Sequence, residues 1–307
     1  MPASRATVPL VALRDYVLQE VGLDYAGSLI TRREAIRRLG LLGLGAAAAL
    51  AFLAACGGDD GDAGESGGSR RGQPAASTTP PTAPATAEAI TFDGPNGDIF
   101  GAWAAAPEAQ GAVLVIHEIF GLTDHIKTIP PRFAADGYSA LAIDLLSEEG
   151  GTAAVGDDAL GVLAAAPEDR LVADVRAGLD ELERREPDAK LGVVGFCYGG
   201  GVTWMLLAAG EPRVAAAVPF YGPTPDNPDF SQSKAAVLAI YGELDAGVNA
   251  GRDAAVAALE AAGLTHEVRV FPGADHGFFN DTSPRYNAAA AADAYDNVLA
   301  WLGDYLK

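Results

Sequence analysis

The sequence predicts an α/β fold, a mostly parallel sheet covered by helices on both faces. Three observations carry this. From about Ala89 onward, strand-like apolar runs alternate with segments whose apolar residues recur at helical spacing. One strand-to-helix junction holds Gly195-Phe196-Cys197-Tyr198-Gly199, a glycine-flanked sharp turn. The chain's 307 residues, 49% hydrophobic and 20% charged, are ordinary globular material and enough for a sizeable core.

Taken in order, residues 1–56 predict an export signal. Thr31-Arg32-Arg33-Glu34-Ala35-Ile36 precedes an uncharged apolar segment, residues 39–55, which ends in Leu53-Ala54-Ala55-Cys56-Gly57. A basic region, an apolar region and a small-residue cleavage site are the parts of a secretory signal. The arginine pair resembles a twin-arginine export signal, and Leu53-Ala54-Ala55-Cys56 resembles a bacterial lipobox. In signals of that kind the cysteine becomes the lipidated first residue of the mature protein. The resemblance therefore implies lipid attachment at Cys56 and an exported, cell-envelope protein anchored to the outer face of the membrane. The alternative is a short membrane-spanning helix or uncleaved anchor over 39–55, a length near the lower limit for crossing a bilayer. Residues 57–87 are nearly all Gly, Asp, Ser, Thr, Pro and Ala without apolar periodicity, which predicts a flexible linker.

Residues 88–307 predict the catalytic domain. Segments 89–92 and 99–104, separated by Asp93-Gly94-Pro95-Asn96-Gly97, have the pattern of a hairpin. The continuous apolar run 112–116 predicts a buried strand. A helix ending near 131–136, a strand over 138–143 and an amphipathic helix over 170–185 follow. The strand 191–194 enters the glycine turn and a helix over 200–209 leaves it. Strands are expected at 214–218, 237–241 and 267–271, with helices over 253–262 and 287–306. Sites in such sheets lie at the carboxyl ends of strands, so the loops after Ile116, Val194, Ile240 and Val270 are the places to search.

A Gly-x-nucleophile-x-Gly between strand and helix is the nucleophile elbow of the α/β-hydrolase fold, here with cysteine where serine is usual. Side chains at the flanking glycines would collide with the neighbouring strand or helix. A thiol becomes a useful nucleophile when a base stabilises its anion. His276, in the turn-rich Phe271-Pro272-Gly273-Ala274-Asp275-His276-Gly277-Phe278, is where this fold places its base. Asp245, in Tyr241-Gly242-Glu243-Leu244-Asp245, is the orienting acid, with Glu243 and Asp275 as near alternatives. The order nucleophile, acid, histidine is that of the fold. The Tyr198 amide follows the nucleophile and is one expected oxyanion donor; His117-Glu118-Ile119-Phe120-Gly121 offers the second. Glu118 is a carboxylate at the mouth of the site, able to regulate the thiol's ionisation.

The combination His-Glu-Ile-Phe-Gly, Gly-Phe-Cys-Tyr-Gly-Gly, Gly-Glu-Leu-Asp and Gly-Ala-Asp-His-Gly-Phe resembles the dienelactone hydrolase (carboxymethylenebutenolidase) family over residues 88–307. The segment Asn280-Asp281-Thr282-Ser283-Pro284-Arg285-Tyr286 is also similar. The resemblance implies a triad of Cys197, His276 and Asp245, with Ile119 and Tyr198 amides as oxyanion hole. It further implies that Glu118 holds the resting cysteine as a thiol and releases it to His276 when an anionic substrate enters. No metal or organic cofactor is implied. One departure stands out: Asn280 occupies the position, four past His276, where the prototype enzymes carry a carboxylate-binding arginine. Arg285 is the nearest candidate to replace it.

Other features have plainer explanations. His117 and His125 lack a third ligand at metal spacing and are expected to pack or hydrogen-bond locally, and His266 opens a strand. Gly199-Gly200-Gly201 fits no phosphate-binding pattern and serves close helix packing. A net charge of -20 argues against nucleic acid, and two cysteines give no disulfide framework. The expected activity is hydrolysis of an enol-lactone such as dienelactone by a monomeric enzyme. The alternatives are a broad carboxylesterase or thioesterase, and a non-catalytic surface-binding lipoprotein.

Overall fold

The computed structural model describes residues 11–56 and 86–307. Residues 1–10 of the expected export signal and 57–85 of the expected linker lie outside the described residues. Three helices, α1 (Val11–Ala26), α2 (Arg32–Leu41) and α3 (Ala46–Ala55), precede the hairpin β1 (Glu88–Gly94) and β2 (Gly97–Ala104). Strand β3 (Ala112–Ile116) leads through α4 (Asp124–Lys127) and α5 (Ile129–Ala135) to β4 (Ser139–Ile143). Helices α6 (Thr152–Val155), α7 (Ala159–Ala165) and α8 (Glu168–Arg185) then return the chain to β5 (Leu191–Phe196). After the elbow come α9 (Tyr198–Ala208), β6 (Val214–Phe220), β7 (Ala236–Gly242), α10 (Ala246–Asn249), α11 (Arg252–Ala261), β8 (His266–Phe271) and α12 (Ala288–Tyr305).

The eight strands form one sheet in the order β1-β2-β4-β3-β5-β6-β7-β8. Strands β1, β2 and β4 pair antiparallel at one edge, and every later pairing is parallel. This is the α/β-hydrolase fold, with the elements in the predicted chain order. Strands β3, β4, β5 and β7 are buried along their whole length, as continuous apolar runs in a sheet covered on both faces must be. Helix α8 shows why the amphipathic pattern is legible: Leu171, Val175, Leu179 and Leu182 fall on one buried face, and Arg184 and Arg185 close its last turn. Each such side chain removed from water contributes about 2 kcal/mol.

The apolar run 39–55 does not continue as one helix. Gly43, at φ 83°, ends α2, and Leu44 N–H reaches back to the Leu39 carbonyl at 3.0 Å in a Schellman-type cap before α3 begins. No helix among the described residues is long and apolar enough to cross a membrane. Instead Tyr16, Val17, Val21, Leu39 and Leu53 are buried within the same core as the catalytic part. Helix α2 lies close to α7, where a Cβ on Gly161 would stand 3.1 Å from the Leu41 carbonyl oxygen. Helix α1 packs against α7 and against α10, which follows the carboxyl end of β7, while α2 packs on α7 and α3 on α1 and α2.

Candidate active site

Cys197 sits between β5 and α9 with φ 54° and ψ -114°, a conformation that non-glycine residues adopt only under constraint. The neighbouring glycines supply that constraint. A Cβ on Gly195 would lie 2.1 Å from the Gly199 carbonyl oxygen, and one on Gly199 would lie 2.3 Å from that of Ile116. Strand and helix are therefore closer here than any side chain allows. The Cys197 amide donates to the Phe220 carbonyl at 3.0 Å, which fixes the turn to β6. Beneath it, Phe196 packs on Phe220 and Phe279 with ring centroids 4.8 and 5.2 Å away, a floor under the nucleophile position.

His276 follows β8 and Asp245 follows β7, and the structure brings them together. The ring Nδ1–H donates to Asp245 Oδ2 at 2.8 Å, while Asp245 Oδ1 accepts from the Val248 amide at 3.1 Å. The two alternatives are engaged elsewhere: Glu243 accepts from the Gly273 amide at 2.8 Å, and Asp275 from the His276 amide at 2.7 Å. With Nδ1 committed to Asp245, Nε2 is the nitrogen that faces the thiol side of the cleft.

That nitrogen meets a residue absent from the sequence-based expectation. Tyr16 of α1 places its hydroxyl 2.8 Å from His276 Nε2 and 3.7 Å from Cys197 Sγ. Burial, followed by the charges of Cys197, Glu20 and Asp245, holds the phenol well above its ordinary pKa, so it stays protonated. Burial is also the largest influence on His276 and pushes it down. The negative charges of Glu20, Cys197 and Asp245 together outweigh burial and carry the imidazole well above its usual value. Nothing in the local sequence marked Tyr16 as a site residue, because it lies 260 positions from His276. Tyr221 was missed as well; its ring packs edge-on to His276 at 5.0 Å and it holds φ 34°.

Glu118, in the loop after β3, is buried and accepts a hydrogen bond from Asn280 Nδ2 at 2.6 Å. Burial pushes its carboxyl up, while His125, the Asn280 hydrogen bond and His276 pull it back. Among the described residues the hydrogen-bond partner of the Cys197 sulfur is Tyr16, not Glu118. Asn280 itself is held by Thr282, whose amide and hydroxyl both donate to Oδ1. The position where an arginine was expected thus positions Glu118. Arg285 lines the same cleft and is already paired with Glu20, Asp24 and Asp275.

Tyr198 opens α9, where first-turn amides have no intrahelical acceptor, and Ile119 lies in the loop facing it across the β3–β5 pair. The Tyr198 ring is anchored from behind by its hydroxyl, which donates to the Leu163 carbonyl at 2.8 Å. His117 is a neutral bridge: Nε2 accepts from the Leu145 amide at 3.0 Å and Nδ1–H donates to the Glu118 carbonyl at 2.6 Å. Burial lowers its pKa, consistent with that neutral state. His125 pairs with Asp281 at 2.8 Å. Glu20, Asp245 and His276 offer ligand atoms within 4.8 Å of one another, yet both His276 nitrogens are already hydrogen-bonded, so the trio is a charge cluster. Cys197, His276, Glu118 and Arg285 border a cleft of ≈ 420 Å³.

Comparison with known proteins places the chain in one family. The sequence model of the "Dienelactone hydrolase family" matches residues 100–306. A Salmonella typhimurium protein named "Putative carboxymethylenebutenolidase" is 34% identical over 256 residues, covering 76% of this chain and 94% of that protein. One of the same name from Saccharolobus solfataricus is 31% identical and covers 66% and 92%. The crystal structure of a "Putative Dienelactone Hydrolase" from Klebsiella pneumoniae superposes with a TM-score of 0.64 at 30% identity, over 71% of this chain and 98% of that one. Helices α1–α3 lie outside the family match.

Proposed function

The chain belongs to the dienelactone hydrolase family and is a carboxylic ester hydrolase, and from that premise we propose that it opens enol-lactones or similarly activated esters through Cys197. The observation that supports this best is the convergence of Cys197 in its strained elbow with a His276 ring oriented by Asp245. Once Nε2 is free, His276 takes the thiol proton and the sulfur attacks the carbonyl carbon. The oxygen becomes an anion held by the Ile119 and Tyr198 amides. Collapse expels the enolate or alkoxide, which receives the proton from His276, and leaves a thioacyl enzyme. Water, deprotonated by His276, then adds to the thioester; the sulfur departs as the thiol and the acid is released.

A sulfur nucleophile suits acyl groups with good leaving groups, and the enolate of an enol-lactone is one. Glu118, buried and held by Asn280, borders the same cleft as Cys197 and His276, where it can sense an incoming substrate. Substitution Cys197→Ala should abolish hydrolysis of a chromogenic ester, at least about a thousandfold in kcat/KM. Turnover that survives this substitution overturns the nucleophile assignment. Comparing a dienelactone with simple acyl esters then separates a lactonase from a broad carboxylesterase.

The arginine pair and the Leu53-Ala54-Ala55-Cys56 sequence support export with lipid attachment at Cys56. Mass spectrometry of the mature N-terminus tests this. An unmodified Cys56 still joined to Ala55 counts against it.

A further inference from the structure

We propose that helix α1 is an intramolecular inhibitor, which holds the precursor inactive by inserting Tyr16 between the catalytic thiol and its base. This rests on the assignment of Cys197 and His276 as the reacting pair. The Tyr16 hydroxyl is 2.8 Å from His276 Nε2, the atom that must take the thiol proton, and 3.7 Å from the sulfur. The same helix brings the Glu20 and Asp24 carboxylates into the cleft, where both pair with Arg285.

Two physical arguments favour inhibition over participation. The reaction must create two anions in sequence, a thiolate and a tetrahedral oxyanion, and each is opposed by additional carboxylates in a buried, low-dielectric site. Glu20 is within 4.8 Å of His276 and Asp245, and its Oε1 is buried without a hydrogen-bond partner. A residue built to serve catalysis would be poorly placed beside an unsatisfied carboxylate. The solved Klebsiella relative is covered over 98% of its length by 71% of this chain, and the family match begins at residue 100, so the fold's catalytic part is built without α1.

The three helices share apolar core contacts with the catalytic part through Tyr16, Val17, Val21, Leu39 and Leu53, and α2 is held besides through Arg37, which donates to the Asp157 carbonyl at 3.5 Å, and Arg38, which stacks 5.7 Å from the Phe120 ring. The Cys56 sulfur faces α1 so closely that a Cβ on Gly22 would lie 2.8 Å from it. Cleavage before Cys56, the maturation step put forward above, would separate all three helices from the catalytic part and uncover Cys197 and His276 together.

The test uses the full chain. Tyr16→Phe deletes the hydroxyl and keeps the ring, and Tyr16→Ala deletes both. Each is read by hydrolysis of para-nitrophenyl acetate and by iodoacetamide alkylation followed on the Cys197 peptide, with cooperative melting as the check on folding. Turnover and alkylation should both rise, about tenfold in Tyr16→Ala and about threefold in Tyr16→Phe, the size expected for loss of one buried hydrogen bond. Rates equal to or below wild type in Tyr16→Phe overturn the proposal, since a phenol that relays the proton, or merely fills space, gives that result. The two assignments fail separately. If Cys197→Ala still turns the ester over while Tyr16→Ala accelerates alkylation of Cys197, the cap stands and the nucleophile assignment falls.

Discussion

Cys197 is held at φ 54° by glycines on either side, and the energetics of that turn are those of steric exclusion. Gly199 faces the Ile116 and His117 carbonyl oxygens, 2.3 and 2.7 Å from where a Cβ would be, and backbone oxygens at a strand end cannot swing aside. Gly199→Ala is therefore expected to lower stability by about 3 kcal/mol or more and to displace the elbow, measurable as a shift in the urea midpoint together with loss of turnover. A variant with unchanged midpoint would show that β3 and α9 can separate, contrary to this packing. The motif was legible because the chemistry of a tight turn demands glycine at fixed offsets. The place of Asp245 after its strand favoured it as the partner of His276 over its near alternatives Glu243 and Asp275, and it is Asp245 that reaches the ring.

At the scale of elements, helix α8 carries an acid on its buried side. Burial pushes Asp174 up to about 6, against the pull of Arg170 at 3.3 Å. Because the folded protein binds this proton more tightly than the unfolded chain, the contribution of Asp174 is most favourable at low pH. It is lost as pH rises from the ordinary aspartate range through about 6. The stability of the wild type relative to Asp174→Asn should accordingly fall between pH ~4 and pH ~7, on the order of 1 kcal/mol after allowing for partial solvent access. Denaturation at several pH values measures this, and a difference that is flat or rises with pH contradicts the assignment. Element types followed from periodicity, since strands buried on both faces and amphipathic helices leave different local patterns. Element ends followed less well. The alternative of one membrane-spanning helix over 39–55 does not form, because Gly43 adopts a left-handed conformation and its neighbours satisfy their backbone groups by capping.

For the whole molecule, the closing helix α12 ties the last residues of the chain back onto strands β6 and β7. Trp301 is buried, and its indole N–H donates to the Ala236 carbonyl at the start of β7, 3.3 Å away. Trp301→Ala should cost about 3–5 kcal/mol, with loss of cooperative unfolding of the catalytic part rather than local fraying. The first helices combine both kinds of contact. Helix α1 buries Tyr16, Val17 and Val21 in the shared core and also meets the cleft through a phenol and two carboxylates paired with Arg285.

The amino-acid sequence alone determined the α/β-hydrolase fold, the order of the eight strands and of the longer helices after β4, the cysteine elbow and the family, because each rests on local periodicity or on residues at short, fixed spacing. Tertiary structure alone decided that Asn280 partners Glu118, that Arg285 is neutralised by Glu20 and Asp24, and that Tyr16 lies against His276. Those pairings join positions 162 to 265 residues apart. No local pattern encodes such a contact; it exists only once the sheet has formed and the loops at its carboxyl edge share one cleft.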